Sequence, residues 1–392
     1  MNNLAFLNNL KLKLSWGKNG NQGLAPYGTL STVNNGAAAN ARYEFGSSTI
    51  WYGMVPGTLG NSNLGWESTA SWNTGLESAW LKNRIFFDID LYFSKTTNQI
   101  FERNIPVMTG FKTMKSSMGQ INNRGVEFTL RTVNIENRAL VWTSNFTFWM
   151  NRNKLVHLYG DLDENGKEKD DISNSRFIGK PLGSIFGYVQ DGIVQETDAD
   201  YMQKNGVKAG VPKYKDMNND GVINADDRDI LGYATPNLKL NMSNTVSYKN
   251  FDLYAMLTGT FGGGGYYLKS NTAAFMTNGS GLFNSNSIYI PYWTPENKSN
   301  IYPSAVFAGD GGRFQGLQSR AFVRLQDVTL SYTFNAPWVK NMNIHNLKVF
   351  LSAKNLFTIT DWVGDDPEVG SVIRENNYPV LTTFSIGANI SF

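Results

Sequence analysis

Hydrophobic and polar residues alternate with a period of two along much of the chain. In Asn9–Gly17 the letters N-L-K-L-K-L-S-W-G place every leucine and the tryptophan on one face and both lysines on the other. Residues Arg84–Ser94 and the last segment, Phe384–Phe392, alternate in the same way. Such alternation is typical of strands that bury one face only. The chain is therefore predicted to be all-β.

The same pattern predicts ten strands along the chain. Their ranges are 8–17, 67–80, 84–98, 119–133, 138–153, 237–249, 251–261, 320–335, 344–356 and 379–392. Many of them exceed the usual strand of about 5–6 residues. They match or exceed the roughly 9–11 residues that a tilted strand needs to cross a bilayer. The pattern thus favours long antiparallel hairpins.

The links between these strands differ in length according to their parity. Links 81–83, 134–137, 249–250 and 336–343 are short, and they all fall on one rim of the sheet. Links 18–66, 99–118, 154–236, 262–319 and 357–378 are long, and they fall on the other rim. Outer-membrane barrels show this asymmetry between tight periplasmic turns and long external loops. We therefore predict a transmembrane antiparallel β-barrel, with 154–236 as a long external loop.

A β-sandwich is the alternative architecture, because its core also buries apolar strand faces. Loop parity, strand length and the terminal Phe392 favour the barrel instead. Its apolar face would then contact lipid. Four tryptophans toward strand ends are predicted to form an aromatic girdle: Trp16, Trp80, Trp142 and Trp149.

Composition narrows the classes of function. Aromatic residues make up 13% of the chain and charged residues 17%, below the soluble average of about 25%. The net charge of +3 is too small to indicate nucleic-acid binding. The absence of cysteine excludes disulfides and thiolate metal sites. The N-terminus lacks the features of a signal peptide, so an export signal would lie outside this sequence.

The segment Asp216–Asp227, D-M-N-N-D-G-V-I-N-A-D-D, has the ligand spacing of an EF-hand-type calcium loop. The predicted ligands are Asp216, Asn218, Asp220, the Val222 carbonyl, Asn224 through water, and Asp227. Asp replaces the usual Glu at the last position, which is expected to lower affinity. An Asx-rich turn without metal is the alternative. No helix pair flanks the loop, so a structural calcium ion is expected rather than a sensor.

No enzymatic site is predicted. His157 and His345 are the two histidines, and neither has a partner at metal-ligand spacing. His157 near Asp161 and Asp163 is the single candidate for protease chemistry, and a loop turn explains it better. Asp88 and Asp90 share a strand face, as the two carboxylates of a glycosidase might, and a lumen-lining charged face is the simpler explanation.

Aromatic residues in the long loops have two interpretations. They either stack on sugars or a lipoprotein lid, or pack together to order the loops. The residues are Trp51, Tyr52, Tyr266, Tyr267, Tyr289, Tyr292 and Trp293.

Several motifs in sequence order resemble the SusC/RagA-type TonB-linked outer-membrane transporters of Bacteroidetes. The motifs are L-K-L-S-W-G-K-N-G-N-Q (12–22), L-G-W-E-S-T-A-S-W-N-T-G-L-E (64–77), N-R-G-V-E-F-T-L (123–130), I-G-K-P-L-G-S-I-F-G-Y-V-Q-D-G-I (178–193), the acidic loop within 213–228, F-V-R-L-Q-D-V-T-L-S-Y-T-F (322–334) and L-K-V-F-L-S-A-K-N-L-F-T-I-T-D-W-V-G-D-D-P-E (347–368). Their order and spacing identify residues 1–392 as the C-terminal barrel portion of that family.

The resemblance implies about ten C-terminal strands of a 22-stranded barrel that crosses the outer membrane many times. Such proteins import oligosaccharides or peptides with energy passed through TonB, under a SusD-like surface lipoprotein. The plug and the TonB-contact segment are not among the matched motifs, so autonomous energised transport is not expected of this sequence. The alternative function is a passive ten-stranded pore or surface-binding protein without energised transport.

The ends of the predicted sheet pose a physical problem. An open sheet edge in hydrocarbon costs several kcal/mol per unsatisfied group. Either Leu10–Trp16 closes on Phe384–Phe392 in a small barrel, or the isolated chain does not insert as a stable monomer.

Overall fold

The protein is described by a computed structural model in residues 6–35, 42–44, 46, 50–265, 291–305, 307, 313–314, 316–364, 366–368 and 380–392. Its centre is one antiparallel ten-stranded sheet in which each strand pairs with its neighbours in sequence. The strands are β1 (Leu7–Asn21), β2 (Glu67–Trp80), β3 (Ile85–Asn104), β4 (Thr113–Glu136), β5 (Leu140–His157), β6 (Pro236–Tyr248), β7 (Phe251–Gly262), β8 (Phe322–Phe334), β9 (Asn346–Thr360) and β10 (Thr383–Ser391). The ten predicted strands and the all-β class are confirmed.

Cross-strand register separates the two faces of this sheet. The outer face is the side that carries Leu10, Leu12 and Leu14, and the inner face is the side that carries Lys11 and Lys13. One row of the outer face runs through Leu12, Leu76, Ile89, Phe128, Phe148 and Leu240. The adjacent inner row runs through Lys11, Glu77, Asp88, Thr129, Thr147 and Asn241. The period-two pattern therefore became one apolar and one polar face.

The connection between β3 and β4 was predicted wrongly as a long link, 99–118. Pairing continues to Asn104 and resumes at Thr113, so the connection is 105–112 with a 3₁₀ turn at Val107–Thr109. Register shifts between Thr97 and Ile100 interrupt the alternation. A bulge moves later side chains to the opposite face, which conceals a continuing strand from a pattern of strict period two.

Aromatic residues mark both ends of the outer face. At the long-loop end Trp16 and Trp72 lie in register, with ring centroids 6.1 Å apart. At the short-turn end Trp80 stacks against Phe87 at 6.4 Å. Trp16, Trp80 and Trp142 thus lie on the outer face near strand ends, as predicted.

The prediction for Trp149 was wrong. Trp149 is in register with Glu127, which is paired with Asp90, so it belongs to the inner face. The run Phe148-Trp149-Met150 consists of consecutive large apolar residues, and alternation cannot decide which of them face outward.

β1 and β10 are the two edges of the sheet and do not pair with each other. Closure of Leu10–Trp16 on Phe384–Phe392 is therefore not found. Among the described residues, no helix is long and apolar enough to cross a membrane.

The remaining described elements are short and belong to the connections. Two helices are α1 (Ala199–Asn205) and α2 (Pro337–Asn341). Paired short strands are Ser184–Tyr188 with Arg228–Tyr233, Gln190–Ile193 with Pro212–Tyr214, Val33–Asn35 with Met54–Pro56, Arg42–Glu44 with Ile50–Tyr52, and Gly264–Gly265 with Gln318–Ser319. Further 3₁₀ turns are Ile172–Asn174 and Ala225–Asp227.

Candidate functional site

A lysine on the inner face joins three strands. The Lys13 ammonium donates to Asp88 Oδ1 at 2.7 Å and to Asp90 Oδ2 at 2.8 Å. These carboxylates lie on β3, whereas Lys13 lies on β1, so the ion cluster crosses β2. It crosses at Gly75, where an added Cβ would collide with the Asp90 carboxylate. The prediction that Asp88 and Asp90 belong to a charged wall agrees with this geometry.

A second ion cluster lies at the long-loop end of β8. Arg324 is buried, and its guanidinium donates to Asp366 Oδ1 at 2.9 Å, to Thr358 Oγ1 at 2.9 Å and to Glu368. Nearby, Arg320 donates to the backbone carbonyls of Pro367 and Glu368 at 2.9 Å each. Two arginines of one strand end therefore fix the described part of the β9–β10 connection against the inner face.

The connection between β5 and β6 is anchored at its base by a tyrosine, an aspartate and an arginine. Tyr159 Oη donates to Asp171 Oδ2 at 2.8 Å, and Arg176 donates to Tyr159 Oη at 2.7 Å. Burial, together with the hydrogen bond to Asp171, raises the pKa of Tyr159 to about 12. Burial also acts to raise the pKa of Asp171, but hydrogen bonds from Asn174 and Tyr159 outweigh it and hold that pKa below its ordinary value.

Glu168 organises the turn that follows β5. One of its oxygens accepts from the backbone N–H groups of Leu158 and Gly160, at 2.8 and 2.9 Å. Partial burial acts to raise the pKa of Glu168, but these two bonds and the nearby His157 lower it overall. Sequence reasoning missed Glu168, because no motif marks a carboxylate that satisfies a turn eight to ten residues away.

His157 is a member of this turn and not of an aspartate pair. Its Nδ1 lies 3.1 Å from Glu168 Oε2. Asp161 pairs with Arg103 at 3.2 Å, and Asp163 accepts from the backbone N–H of Asn165. The predicted protease candidate is therefore a set of loop contacts. His345 lies in the β8–β9 connection, where its backbone N–H donates to Ser391 at 2.7 Å.

Two of the long connections interlock. Trp293, in the β7–β8 connection, is buried and donates from Nε1 to Gln195 Oε1 at 2.9 Å. Asn300 Oδ1 accepts from the backbone N–H of Ile193 at 3.0 Å. The backbone N–H of Ser304 donates to the Gly210 carbonyl at 2.7 Å. Residues 291–305 and the β5–β6 connection thus form one packed unit above the sheet.

The interpretation of the loop aromatics is settled for some residues only. Trp293 packs within this unit, which is the ordering role. Trp51 and Tyr52 are exposed on the short strand Ile50–Tyr52. Tyr266, Tyr267 and Tyr289 lie outside the described residues.

The acidic loop is folded around its first carboxylate. Asp216 accepts from the backbone N–H groups of Asp220 at 3.2 Å and Gly221 at 2.6 Å. Gly221 adopts a φ of 86°, in the left-handed region that glycine tolerates best. Asp220 Oδ1 in turn accepts from the Val222 N–H at 2.8 Å. EF-hand-type loops turn sharply at their sixth position, and this loop does so at Gly221.

The predicted ligand atoms are close together around Asp220. Its Oδ2 lies 2.9 Å from Asn218 Nδ2 and 3.4 Å from Asn224 Nδ2, and Asn224 Nδ2 lies 3.4 Å from the Val222 carbonyl oxygen. Rotation of either amide by half a turn would present oxygen instead of nitrogen. Among the described residues, no group of three or more His, Asp or Glu side chains has a metal-holding arrangement. A cation here would therefore need the Asn amides and the carbonyl as ligands.

Asp227 closes the loop. It is fully buried, and its two oxygens accept from the backbone N–H groups of Met217 at 2.8 Å and Asn224 at 2.7 Å. The hydrogen bond from Asn224, and then that from Met217, lower the pKa of Asp227 against the opposing effect of burial. The loop contacts helix α1, because the Ile223 N–H donates to Asn205 Oδ1 at 3.2 Å.

Comparisons with known proteins agree on the family. A family model described as "TonB dependent receptor-like, beta-barrel" matches residues 3–356. The TonB-dependent receptor P26 of Formosa agariphila is 30% identical over 413 residues, which cover 100% of this chain and 41% of that protein. The TonB-dependent receptor SusC of Bacteroides thetaiotaomicron is 30% identical over 409 residues, 98% of this chain and 38% of that protein.

A solved structure of the RagAB peptide transporter is similar over 99% of this chain and 41% of the matched chain, with a TM-score of 0.73 at 25% identity. This chain thus spans about two fifths of the length of these relatives. The ten-stranded sheet, its two contrasting faces and these matches lead to one assignment. The chain belongs to the TonB-dependent receptor-like β-barrel family of outer-membrane proteins and is similar to its SusC-type transporters.

Proposed function

We propose that this chain forms part of the wall and the external loops of a SusC-type importer, which takes up oligosaccharides or peptides with energy passed through TonB. The observation that carries the proposal is the contrast between the two faces of one continuous sheet. The outer face from Leu10 to Trp16 is free of charge, as lipid contact demands, and the inner face carries the Lys13 cluster. Across the apolar band, charge on the inner face alone is expected of a wall between lipid and a polar lumen.

The external connections support a partner in this proposal. The unit formed by residues 291–305 and the β5–β6 connection lies at the long-loop rim, and its contacts include the buried Trp293, which donates to Gln195. An ordered rim of this kind would give a SusD-like surface lipoprotein a fixed surface on which to close. TonB would act through the part of the relatives' length that this chain does not span.

We further propose that a structural calcium ion binds the acidic loop within 154–236. The ligands would be Asp216, Asn218, Asp220, the Val222 carbonyl, Asn224 and Asp227. Asn218 and Asn224 approach the Asp220 carboxylate, and Asn224 approaches the Val222 carbonyl, which supports the assignment. The ion would tie the loop to the packed external unit through α1.

Uptake measurements in the native organism test the importer proposal against a passive pore. Deletion of the gene should abolish growth on one class of oligosaccharide or peptide. Dissipating the proton gradient or deleting TonB should abolish uptake as well. Uptake that persists without TonB would support the passive pore and contradict the importer.

The partner proposal has its own measurement. An affinity tag placed on the whole protein should recover a surface lipoprotein from detergent-solubilised outer membranes. Recovery of the intact barrel protein alone, under conditions that preserve the complex of a known SusC relative, would contradict the partnership.

A further inference from the structure

The outer face carries a row of cations immediately beyond its apolar band. In register, one row at the long-loop end runs Trp16, Trp72, Phe93, Arg124 and Arg152, and the next runs Lys18, Ala70, Lys95, Asn122 and Lys154. These two rows, which we call the basic belt, contain five cations and no carboxylate. On β1 to β5 the outer face changes from uncharged to basic within two residue steps, about 7 Å.

The cations of the basic belt lack carboxylate partners within the described part of the chain. No ion pair there includes Lys18, Lys95, Arg124 or Lys154. Arg152 alone is committed to backbone carbonyls, those of Asn151 and Asn237. Two inner-face cations, Lys13 and Lys348, instead contact carboxylates at 2.7–2.8 Å. Like charges on neighbouring strands repel, so an external anion at the belt would relieve their repulsion.

An apolar groove opens directly beneath the belt. Its volume is about 520 Å³, and its outer-face lining is Leu14, Trp16, Trp72, Thr74, Leu91 and Phe93. Thr74 lies in register between Leu14 and Leu91. Its side chain is shorter than both leucines, which makes a depression between them. Trp16 and Trp72 are 58% and 62% exposed, so the groove wall is accessible to a ligand.

Lys18 and Lys95 flank the small side chain of Ala70. Their strands are two spacings apart, roughly 10 Å, so two long ammonium side chains can meet over Ala70. An anionic group bound by both ammonium groups would lie between the lysines and directly above the groove. The ligand must therefore be an amphiphile whose negative head is joined to a hydrocarbon chain.

We propose that the outer face of β1–β3 binds a phosphorylated lipid of the outer leaflet. Lys18 and Lys95 contact the phosphate over Ala70, Arg124 contributes a further donor, and an acyl chain lies in the groove along Thr74. Guanidinium and ammonium groups are the side chains that match phosphate best. A protein partner is disfavoured because the belt borders an exposed apolar face that must lie in hydrocarbon. The inference rests on the proposed placement of the sheet in the outer membrane.

The test uses the whole protein extracted from outer membranes in detergent. Native mass spectrometry and a titration with bis-phosphorylated lipid A measure bound lipid, with a neutral diacylglycerol lipid and inorganic phosphate as separate arms. The variant K18Q/K95Q should bind lipid A about 30-fold more weakly, since each lysine near a lipid surface contributes roughly fivefold. The matched control K11Q/K239Q removes two lysines from the inner face and should bind as the wild type does.

A second variant tests the groove without changing charge. Thr74→Phe should fill the groove and weaken lipid A binding, while the folded protein keeps its heat-modifiable migration on a gel. Equal lipid A binding by wild type and K18Q/K95Q would overturn the proposal, as would equal binding of the neutral lipid. If inorganic phosphate displaces lipid A at an equal concentration, the belt is a simple anion site, and the proposal is overturned as well.

The outcomes separate this inference from the importer proposal. A protein that imports substrate and migrates as a folded barrel, yet binds lipid A no better than the neutral lipid, contradicts the lipid site alone. A wild-type protein that is absent from the outer membrane contradicts both.

Discussion

Removing Asp366 should release the β9–β10 connection from the sheet. The Arg324 side chain is 5% exposed and that of Asp366 is 8% exposed, so their 2.9 Å contact is buried. Breaking a buried pair by deleting one partner typically costs about 3–5 kcal/mol, because the remaining charge loses its partner. Glu368 still contacts Arg324 and can neutralise part of that charge. We therefore expect Asp366→Ala to cost about 3 kcal/mol, the lower end of that range.

Hydrogen–deuterium exchange of the folded protein in detergent measures this cost locally. The connection opens by breaking the Arg324 contacts, so its opening free energy should fall by the same amount. About 3 kcal/mol corresponds to roughly 150-fold faster exchange. The amide to follow is that of Trp362 in the same connection, whose N–H donates to Thr360 Oγ1 at 3.1 Å.

Glu368→Ala is the matched control in the same connection. The Glu368 side chain is 53% exposed although it contacts the same guanidinium. Exposed pairs contribute about 0–1 kcal/mol, so exchange at Trp362 should accelerate by less than about sixfold. Similar exchange rates in the two variants would refute the reasoning. It holds that the burial of an ion pair, rather than the number of contacts, determines how much the pair stabilises the connection. Exchange in Asp366→Ala within threefold of wild type would refute it as well.

Three further outcomes are expected. Gly75→Ala should destabilise the folded protein by about 1–3 kcal/mol in urea unfolding, because its Cβ would collide with Asp90. The pKa of Asp227 is lowered, so its contribution to loop stability is complete above the ordinary value of 3.8 and is lost as pH falls through the lower folded value. Protease cutting of the acidic loop should accordingly rise below about pH 4, and Asp227→Asn should show raised cutting at neutral pH. If calcium binds, chelation should increase cutting within 154–236, and equal cutting with and without chelator contradicts a bound ion.

The strands could be predicted because the alternation of apolar and polar residues is local to the sequence of each strand. A face that meets lipid is mostly apolar at every second residue. The alternation from Ile85 to Phe93 therefore predicted a strand from residue 84, and β3 begins at Ile85. Prediction from alternation fails where the period of two is interrupted. Bulges between Thr97 and Ile100 concealed the long-loop end of β3. Three consecutive apolar residues concealed the fact that Trp149 lies on the inner face.

The contacts that give the sheet its functional features could not be predicted in this way. Lys13 and Asp90 are 77 positions apart, and their contact depends on Gly75 in a strand between them. Arg324 and Asp366 come together through a connection whose path no local pattern records. The acidic loop was recognisable because its ligand spacing is local. Glu168 was not, since a carboxylate that accepts two backbone N–H groups carries no sequence signature.

The basic belt illustrates how register converts separate residues into a surface. In sequence, Lys18, Lys95 and Arg124 are three unrelated cations at the ends of three alternating segments. Each continues the outer-face parity of its strand, from Trp16, Phe93 and Val126 respectively. Neighbouring strands lie about 4.8 Å apart, so the pairing brings the cations together along a front of roughly 19 Å over β1–β5. On the inner face, by contrast, Lys13, Arg324 and Lys348 each contact carboxylates. A face that leaves its cations unpaired only where the apolar band ends is therefore built to meet an anionic boundary there.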